Sequence, residues 1–392
     1  MEPVPVGIRE QDEQCMIPTV LCFKSETKQW LVGEEAISCV AGDYGIPVEN
    51  LLDKVLWEEV DLAEQKISGV VLLEKYLLKT LTAIKNHFPT EQITKLVVTV
   101  RNTEPEFVDK IYEALSSLGL ERDRVVVMSH AGVYLYYALN QDKSLRMNDI
   151  GMFEFCKEGL YFYQIHMNRR ANPIIAGLLK TDYTDTLNIT MLKQKDIDAA
   201  YIFENVANNA LYKQIITTLY LTGRGFDGTW DAEVIKNLCI GRRVFLGQNL
   251  FTKGACYAAK ELAGDLSLQD FLLLNDDMIT SSVSVRVYSD TAYRDLKLAY
   301  AGENWYEVDQ SIEVIPENTV ELEIILKNIM TGESSRKILS VNQMPKRPNR
   351  MTRLLINLTC KDKFTGLFTV TDLGFGEIYT ETGQLVEFIV DL

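Results

Sequence analysis

Two short runs, ITKLVVTV (93–100) and RVVVMS (124–129), carry unbroken apolar stretches, Leu96-Val97-Val98 and Val125-Val126-Val127-Met128. A strand with one face in water alternates apolar and polar residues, so a run without alternation requires a sheet covered on both sides. Between the runs Phe107, Ile111, Leu115 and Leu118 line one face of a helix that Gly119 ends. HAGVYLYYAL (130–139) is a second helix. Upstream, Leu73, Tyr76, Leu77, Thr80, Leu81 and Ile84 share the face of a helix that begins near Val71 and stops at Pro89. Residues 18–24 (PTVLCFK) and 28–32 (KQWLV) read as a strand pair, with a short helix from Gly33. Such alternation predicts a mostly parallel sheet with helices on both faces.

Past Met147 the pattern changes. DIGMFEFC, GLYFYQIHM and NPIIAGLLK, within 148–180, read as hairpin-linked strands. A long helix around 195–213, the strand IITTLYL, a turn, a helical stretch, a strand from Arg242 to Leu246 and a helix opened by Asn249 follow. The second half thus repeats the first, so residues 1–265 divide into lobes of about 1–147 and 148–265, with ligands expected in the cleft between them. Over residues 279–392 Val283, Val285 and Val287, Leu322, Ile324 and Leu326, and Leu354, Ile356, Leu358 and Cys360 alternate with other residues. These short strands predict an antiparallel sandwich of about seven or eight strands. Between the two regions, residues 266–278 carry Phe271-Leu272-Leu273-Leu274, an apolar run that is costly in water and is expected to dock or add a strand.

A formal net charge of −15 repels nucleic-acid phosphates and anionic lipid, which argues against nucleic-acid and membrane partners. The short basic cluster Lys346-Arg347-Pro348-Asn349-Arg350, with Arg353, reads as a solvated loop. Seven cysteines without a CxxC pair read as reduced, buried small hydrophobes of a cytoplasmic protein. The sequence carries no signal peptide and no apolar run long enough to span a bilayer. Three histidines far apart argue against a zinc or histidine-based hydrolytic site.

The segment LYLTGRGFDGTWDAEVIKNL (219–238) carries the strongest functional signal. Paired glycines at a strand end let backbone approach a flat ligand, and the helix that follows offers unpaired N–H groups. With IPTVLCFKSETKQWLVGEEA, ITKLVVTV, VVVMSHAGVYLYYAL and GACYAAKELAGDLSLQDFLLLNDD, this segment resembles the actin-type ATPase superfamily, and within it the DnaK-type heat-shock chaperones. The layout is most similar to a bacterial family of reduced DnaK-like proteins. The resemblance implies a reduced two-lobed, ribonuclease-H-type nucleotide-binding domain over 1–265, an interdomain linker at 266–278 and a substrate-type β-sandwich over 279–392. LTGRGF then corresponds to the adenosine motif, with Gly223, Arg224, Gly225 and Phe226 as nucleotide-binding residues and Arg224 stacking on the base. ATP or ADP with magnesium is the implied ligand.

The departures bear on chemistry. The first phosphate hairpin of such ATPases carries Asp-x-Gly; Val6-Gly7-Ile8-Arg9-Glu10 has no such turn. The second should end a strand in Asp-x-Gly-Gly-Gly, where this chain has Glu154-Phe155-Cys156-Lys157-Glu158-Gly159. Glu154, Lys157 and Gly159 are the phosphate-side candidates, with Cys156 in the place of a glycine that would let N–H groups reach phosphate. Asp149-Ile150-Gly151 matches on paper but precedes the apolar strand. The adenine-covering insert is truncated or absent between residues 181 and 214. The expectation is a degenerate, chaperone-like interaction protein that holds a peptide or protein through the sandwich, with no catalytic residues assigned. The alternatives left open are an ATP-hydrolysing chaperone whose first phosphate loop lies upstream of Met1, and an actin-like filament protein. Tyr288, Trp305, Tyr306 and Phe375 are candidates for a sandwich groove or for its core.

Overall fold

A computed structural model describes residues 2–7, 15–62, 65–101, 103–194, 196–317 and 321–392. Ile8, Arg9 and Glu10 of the expected lead-in lie outside the described residues. The fold is mixed α/β with several sheets and an antiparallel C-terminal region. It divides into two units, residues 1–140 with 249–267, and residues 141–248 with 268–392.

The first unit opens with β1 (Leu21–Lys24), β2 (Gln29–Val32), α1 (Glu34–Ala41) and β3 (Ile46–Val48), the strands pairing antiparallel in the order β2-β1-β3. Then come α2 (Leu51–Lys54), the antiparallel pair β4 (Val60–Leu62) and β5 (Gln65–Ile67), and the long α3 (Gly69–His87). β6 (Leu96–Val100), α4 (Pro105–Ser117), β7 (Val125–Ser129) and α5 (His130–Leu139) follow, and β6 pairs parallel to β7. Phe107, Ile111 and Leu115 of α4 are buried, as their spacing predicts. β6 is only half-buried at every position, less than its apolar run predicts. In a two-stranded sheet each strand has an edge, and cover is incomplete. The Ser129 hydroxyl accepts the Gly132 N–H at 2.8 Å and caps α5.

The second unit begins with β8 (Asp149–Phe155), β9 (Leu160–Asn168) and β10 (Ile174–Asp182), an antiparallel meander. α6 (Ala199–Leu211), β11 (Ile216–Thr222), α7 (Ala232–Leu238) and β12 (Arg243–Leu246) complete its α/β part, with β11 parallel to β8 and β12 parallel to β11. The chain then returns to the first unit as α8 (Leu250–Lys260), which packs on α5. A Cβ on Gly254 would stand 2.2 Å from the Val133 carbonyl oxygen, so glycine permits this approach.

The apolar segment becomes β13 (Phe271–Leu274), which adds parallel to β10 and makes the sheet six-stranded in the order β12-β11-β8-β9-β10-β13. The C-terminal strands are β14 (Ser281–Ser289), β15 (Ala292–Ala299), β16 (Asp309–Val314), β17 (Glu321–Asn328), β18 (Ser334–Ser340), β19 (Leu354–Asp362), β20 (Thr365–Asp372) and β21 (Leu385–Asp391). They form two antiparallel sheets, β15-β14-β17-β18 and β16-β19-β20-β21. Val283, Val285, Ile324, Leu354, Ile356, Leu358 and Phe368 fill the space between them. Met330, from the β17–β18 turn, lies against Gly177 of β10, and its carbonyl accepts the Asn168 amide at 3.4 Å. Trp305 packs on the sandwich core, whereas Tyr288 is exposed on the outer side against Tyr293.

Two expectations are corrected. The basic cluster is a loop with Lys346, Arg350 and Arg353 exposed, but it is not solvated throughout. Arg347 is buried and grips the buried Asp372 through two bonds of 2.6 and 2.8 Å, while Arg350 and Arg353 pair with Glu317 and Glu313. Nor are the thiols uniformly buried: Cys22 and Cys39 are, but Cys239 and Cys256 are exposed.

Asp372 also accepts bonds from Gly374 N–H, Thr382 N–H and the Thr382 hydroxyl. The Arg347 guanidinium, against the opposing effect of burial and with the Thr382 and Gly374 donors, holds its carboxyl well below the usual carboxylate range. Such a depressed pKa gives stability that is complete above the unfolded aspartate value of about 3.9 and is lost as pH falls below it. Denaturant melts between about pH 6 and 2 should therefore show an acid-side loss of stability that Asp372→Asn reduces. Arg347→Ala, which strands a buried carboxylate, should cost about 3–5 kcal/mol at neutral pH in the same melts.

Candidate functional site

β8 and β11 run parallel in adjacent register, with Glu154 opposite Thr222. Their C-terminal ends bring the two sets of expected site residues, 154–159 and 223–226, to one end of the sheet. Parallel strands buried by helices carry such sites because the next helix starts there.

The turn after β11 is built around Gly223, whose φ of 99° is a left-handed conformation that favours glycine. A Cβ on Gly223 would lie 2.2 Å from the Phe155 carbonyl oxygen, and one on Gly225 2.3 Å from the Phe155 ring. The closest groups to both glycines therefore belong to the end of β8. Phe226 is buried in an aromatic cluster with Phe155, Phe203 and Trp230, at centroid distances of 5.8, 5.2 and 6.2 Å. The Trp230 indole donates to the Gly225 carbonyl at 2.8 Å. Arg224 is exposed.

Gln248, just beyond β12, engages the Gly223 backbone on both sides. Its amide oxygen accepts the Gly223 N–H at 3.2 Å, and its amide nitrogen donates to the Gly223 carbonyl at 3.3 Å and to Asp227 at 3.0 Å. In this arrangement a side-chain amide satisfies the donor and acceptor that a strand-end turn would offer a planar ligand.

The segment after β8 is a tight hairpin with Lys157 and Glu158 exposed at its tip. Cys156 N–H donates to the Gly159 carbonyl at 2.9 Å, and Gly159 N–H returns to the Cys156 carbonyl at 3.2 Å. Thr184 crowds the buried Gly159, its hydroxyl 1.9 Å from where a Cβ would stand. Glu154 points away from this tip; it is buried and accepts the Tyr163 hydroxyl at 3.0 Å. Asp149, at the opposite end of β8, accepts from Gln164 at 2.9 Å and meets His166 at 2.7 Å.

Sequence reasoning missed two groups. Gln248 has no local signature, since its partner lies across the strand ends. Asp231, at the start of α7, is buried, and its Oδ2 has no hydrogen-bond partner among the described residues. Burial pushes this carboxyl above its ordinary value, partly offset by its own N–H. Its place before a helical run was the available signal.

Residues 2–276 match a family described as "family of unknown function (DUF5716), C-terminal", and residues 278–392 match a "domain of unknown function (DUF8552)". The chain belongs to the DUF5716 family. No curated protein matches it. Among the described residues no helix is long and apolar enough to cross a membrane.

Since Phe155 occupies the space beside both glycines, Gly223→Ala should destabilise the ligand-free protein by about 2–4 kcal/mol, from the left-handed φ and the crowding together. Equilibrium denaturation without nucleotide reads this directly. A change below about 0.5 kcal/mol, typical of an unconstrained surface site, would refute the packing role.

Proposed function

We propose that this DUF5716 member is a non-catalytic, chaperone-like interaction protein built on a reduced actin/DnaK-like scaffold, with its partner surface on the β-sandwich. The strand order of the second α/β sheet supports the scaffold. An antiparallel meander β8-β9-β10 is extended on the β8 side by the parallel strands β11 and β12, the order of a ribonuclease-H-type sheet. The observation that carries the non-catalytic reading is the use of the backbone donors. Gly223 N–H is bonded to Gln248, and those of Cys156 and Gly159 to the hairpin itself. Phosphoryl transfer depends on preorganised donors and charge at the phosphates. Here a nucleotide must first displace Gln248 and open a hydrogen-bonded hairpin.

The partner surface is assigned to a sandwich edge. β21 ends its sheet and exposes Leu385 and Ile389. An edge strand with free backbone groups and apolar side chains accepts an extended peptide by strand addition. A peptide held there would be read by alternate side chains.

Titration with ATP and magnesium separates this reading from that of a working ATPase chaperone. A nucleotide present at about a hundred times its Kd would add about 2.7 kcal/mol of stability. The expected result is no change in melting temperature and no calorimetric heat at millimolar ATP. A rise that Gly223→Ala or a hairpin substitution at Lys157 abolishes would overturn the reading and restore nucleotide binding.

A further inference from the structure

The loops that lead into β8, β11 and β12 lie side by side, because these strands are parallel and adjacent. Each loop presents a large apolar side chain to solvent. Met147 is 64% exposed, Tyr212 67%, Ile215 73% and Ile240 75%. Single exposed apolar residues are ordinary, but four on three adjacent loops form a patch.

The same loops carry cations. Lys143 and Arg146 precede β8, Lys213 precedes β11, and Arg242 and Arg243 open β12. Among the described residues none of these five has a carboxylate within ion-pair distance. In the sandwich of this unit Arg286, Arg336, Arg347 and Arg350 are each paired with a carboxylate. Arg243 donates to the Ser144 hydroxyl at 2.7 Å, which ties the β12 loop to the β8 loop. Arg169 donates to the Arg146 carbonyl and brings a further positive charge to the same end. The local acids are engaged: Asp142 accepts the Ser144 N–H at 2.8 Å, and Asp149 accepts from Gln164 and Met167 and meets His166. Ser144 donors, then Arg243 and Arg146, hold the Asp142 carboxyl below its ordinary value, and burial, then Arg169, lowers the Arg146 guanidinium.

We infer that this end of the sheet is an interaction surface for an acidic amphipathic helix of a partner protein. Charge complementarity selects the sign, since an unpaired basic patch on a chain of net charge −15 attracts an anionic partner. Spacing selects the helix. Adjacent strands stand about 4.8 Å apart, and residues three or four apart on a helix about 5–6 Å. A helix laid across the three strand ends therefore meets one apolar group per loop. Its acidic flanks face Lys143 and Arg146 on one side, and Lys213, Arg242 and Arg243 further along. This surface is separate from the sandwich edge and does not depend on the reading of the nucleotide site.

The test uses the full chain and a fluorescein-labelled peptide of about 18 residues with leucines at helical spacing and glutamates beside them, long enough to form a helix. A second peptide carries lysine for glutamate, and vesicles of phosphatidylglycerol and phosphatidylcholine form a third arm. Fluorescence anisotropy should show binding of the acidic peptide alone. Ile215→Glu with Ile240→Glu, and separately Lys143→Glu with Lys213→Glu, should each weaken it by about tenfold or more at low salt. All four side chains are exposed, and an unchanged melting temperature will show that the variants fold. Failure of the acidic peptide to bind overturns the inference, as does binding that ignores the substitutions. Patch-dependent capture by the vesicles without peptide binding would overturn it in favour of a lipid surface.

Discussion

The contact between the end of β8 and the turn after β11 organises the second unit. Phe155 lies against Gly223 and Gly225, in the turn that follows the end of β11. The aromatic rings of Phe155, Phe203, Phe226 and Trp230 close over the same point, so the strand ends and the α6–α7 layer meet in one cluster. A glycine pair of this kind admits either a ligand or another piece of chain. Here a phenylalanine takes the space, and a glutamine takes the exposed hydrogen-bonding positions.

Much of the architecture was legible because period and length are local properties. The helix at 105–117, the strand and helix at 125–139 and the alternation past residue 281 all follow from side-chain spacing. The docking of Phe271–Leu274 was legible for the same reason, since four consecutive apolar residues require cover. The candidate site was legible only in part. GRGF signals that backbone is approached closely, but a sequence does not name the approaching group when it lies as far along the chain as Phe155. Arg347 illustrates the same limit. The segment is a loop, as its composition reads, but Asp372, which makes Arg347 internal, stands 25 residues further on at the end of β20.

The half-burial of β6 has a different origin. A continuous apolar run reports what a strand could bury, whereas the cover it receives depends on how many strands flank it. With β7 as its paired neighbour, the run exceeds what its sheet encloses. In the six-stranded sheet of the second unit, with β8 and β9 inside it, six of the seven β8 residues and six of the nine β9 residues are buried.

The chain enters each unit twice. Residues 249–267 complete the first unit after residues 141–248 of the second have been made, and residues 268–274 close the edge of β10 only afterwards. During synthesis, then, neither unit is whole when its first segment leaves the ribosome. α5 waits for α8, and β10 keeps an open edge until β13 emerges. Domain-by-domain folding is the ordinary route for chains of this size, but here the first unit is complete only at residue 267, and the second only with the strands that follow it.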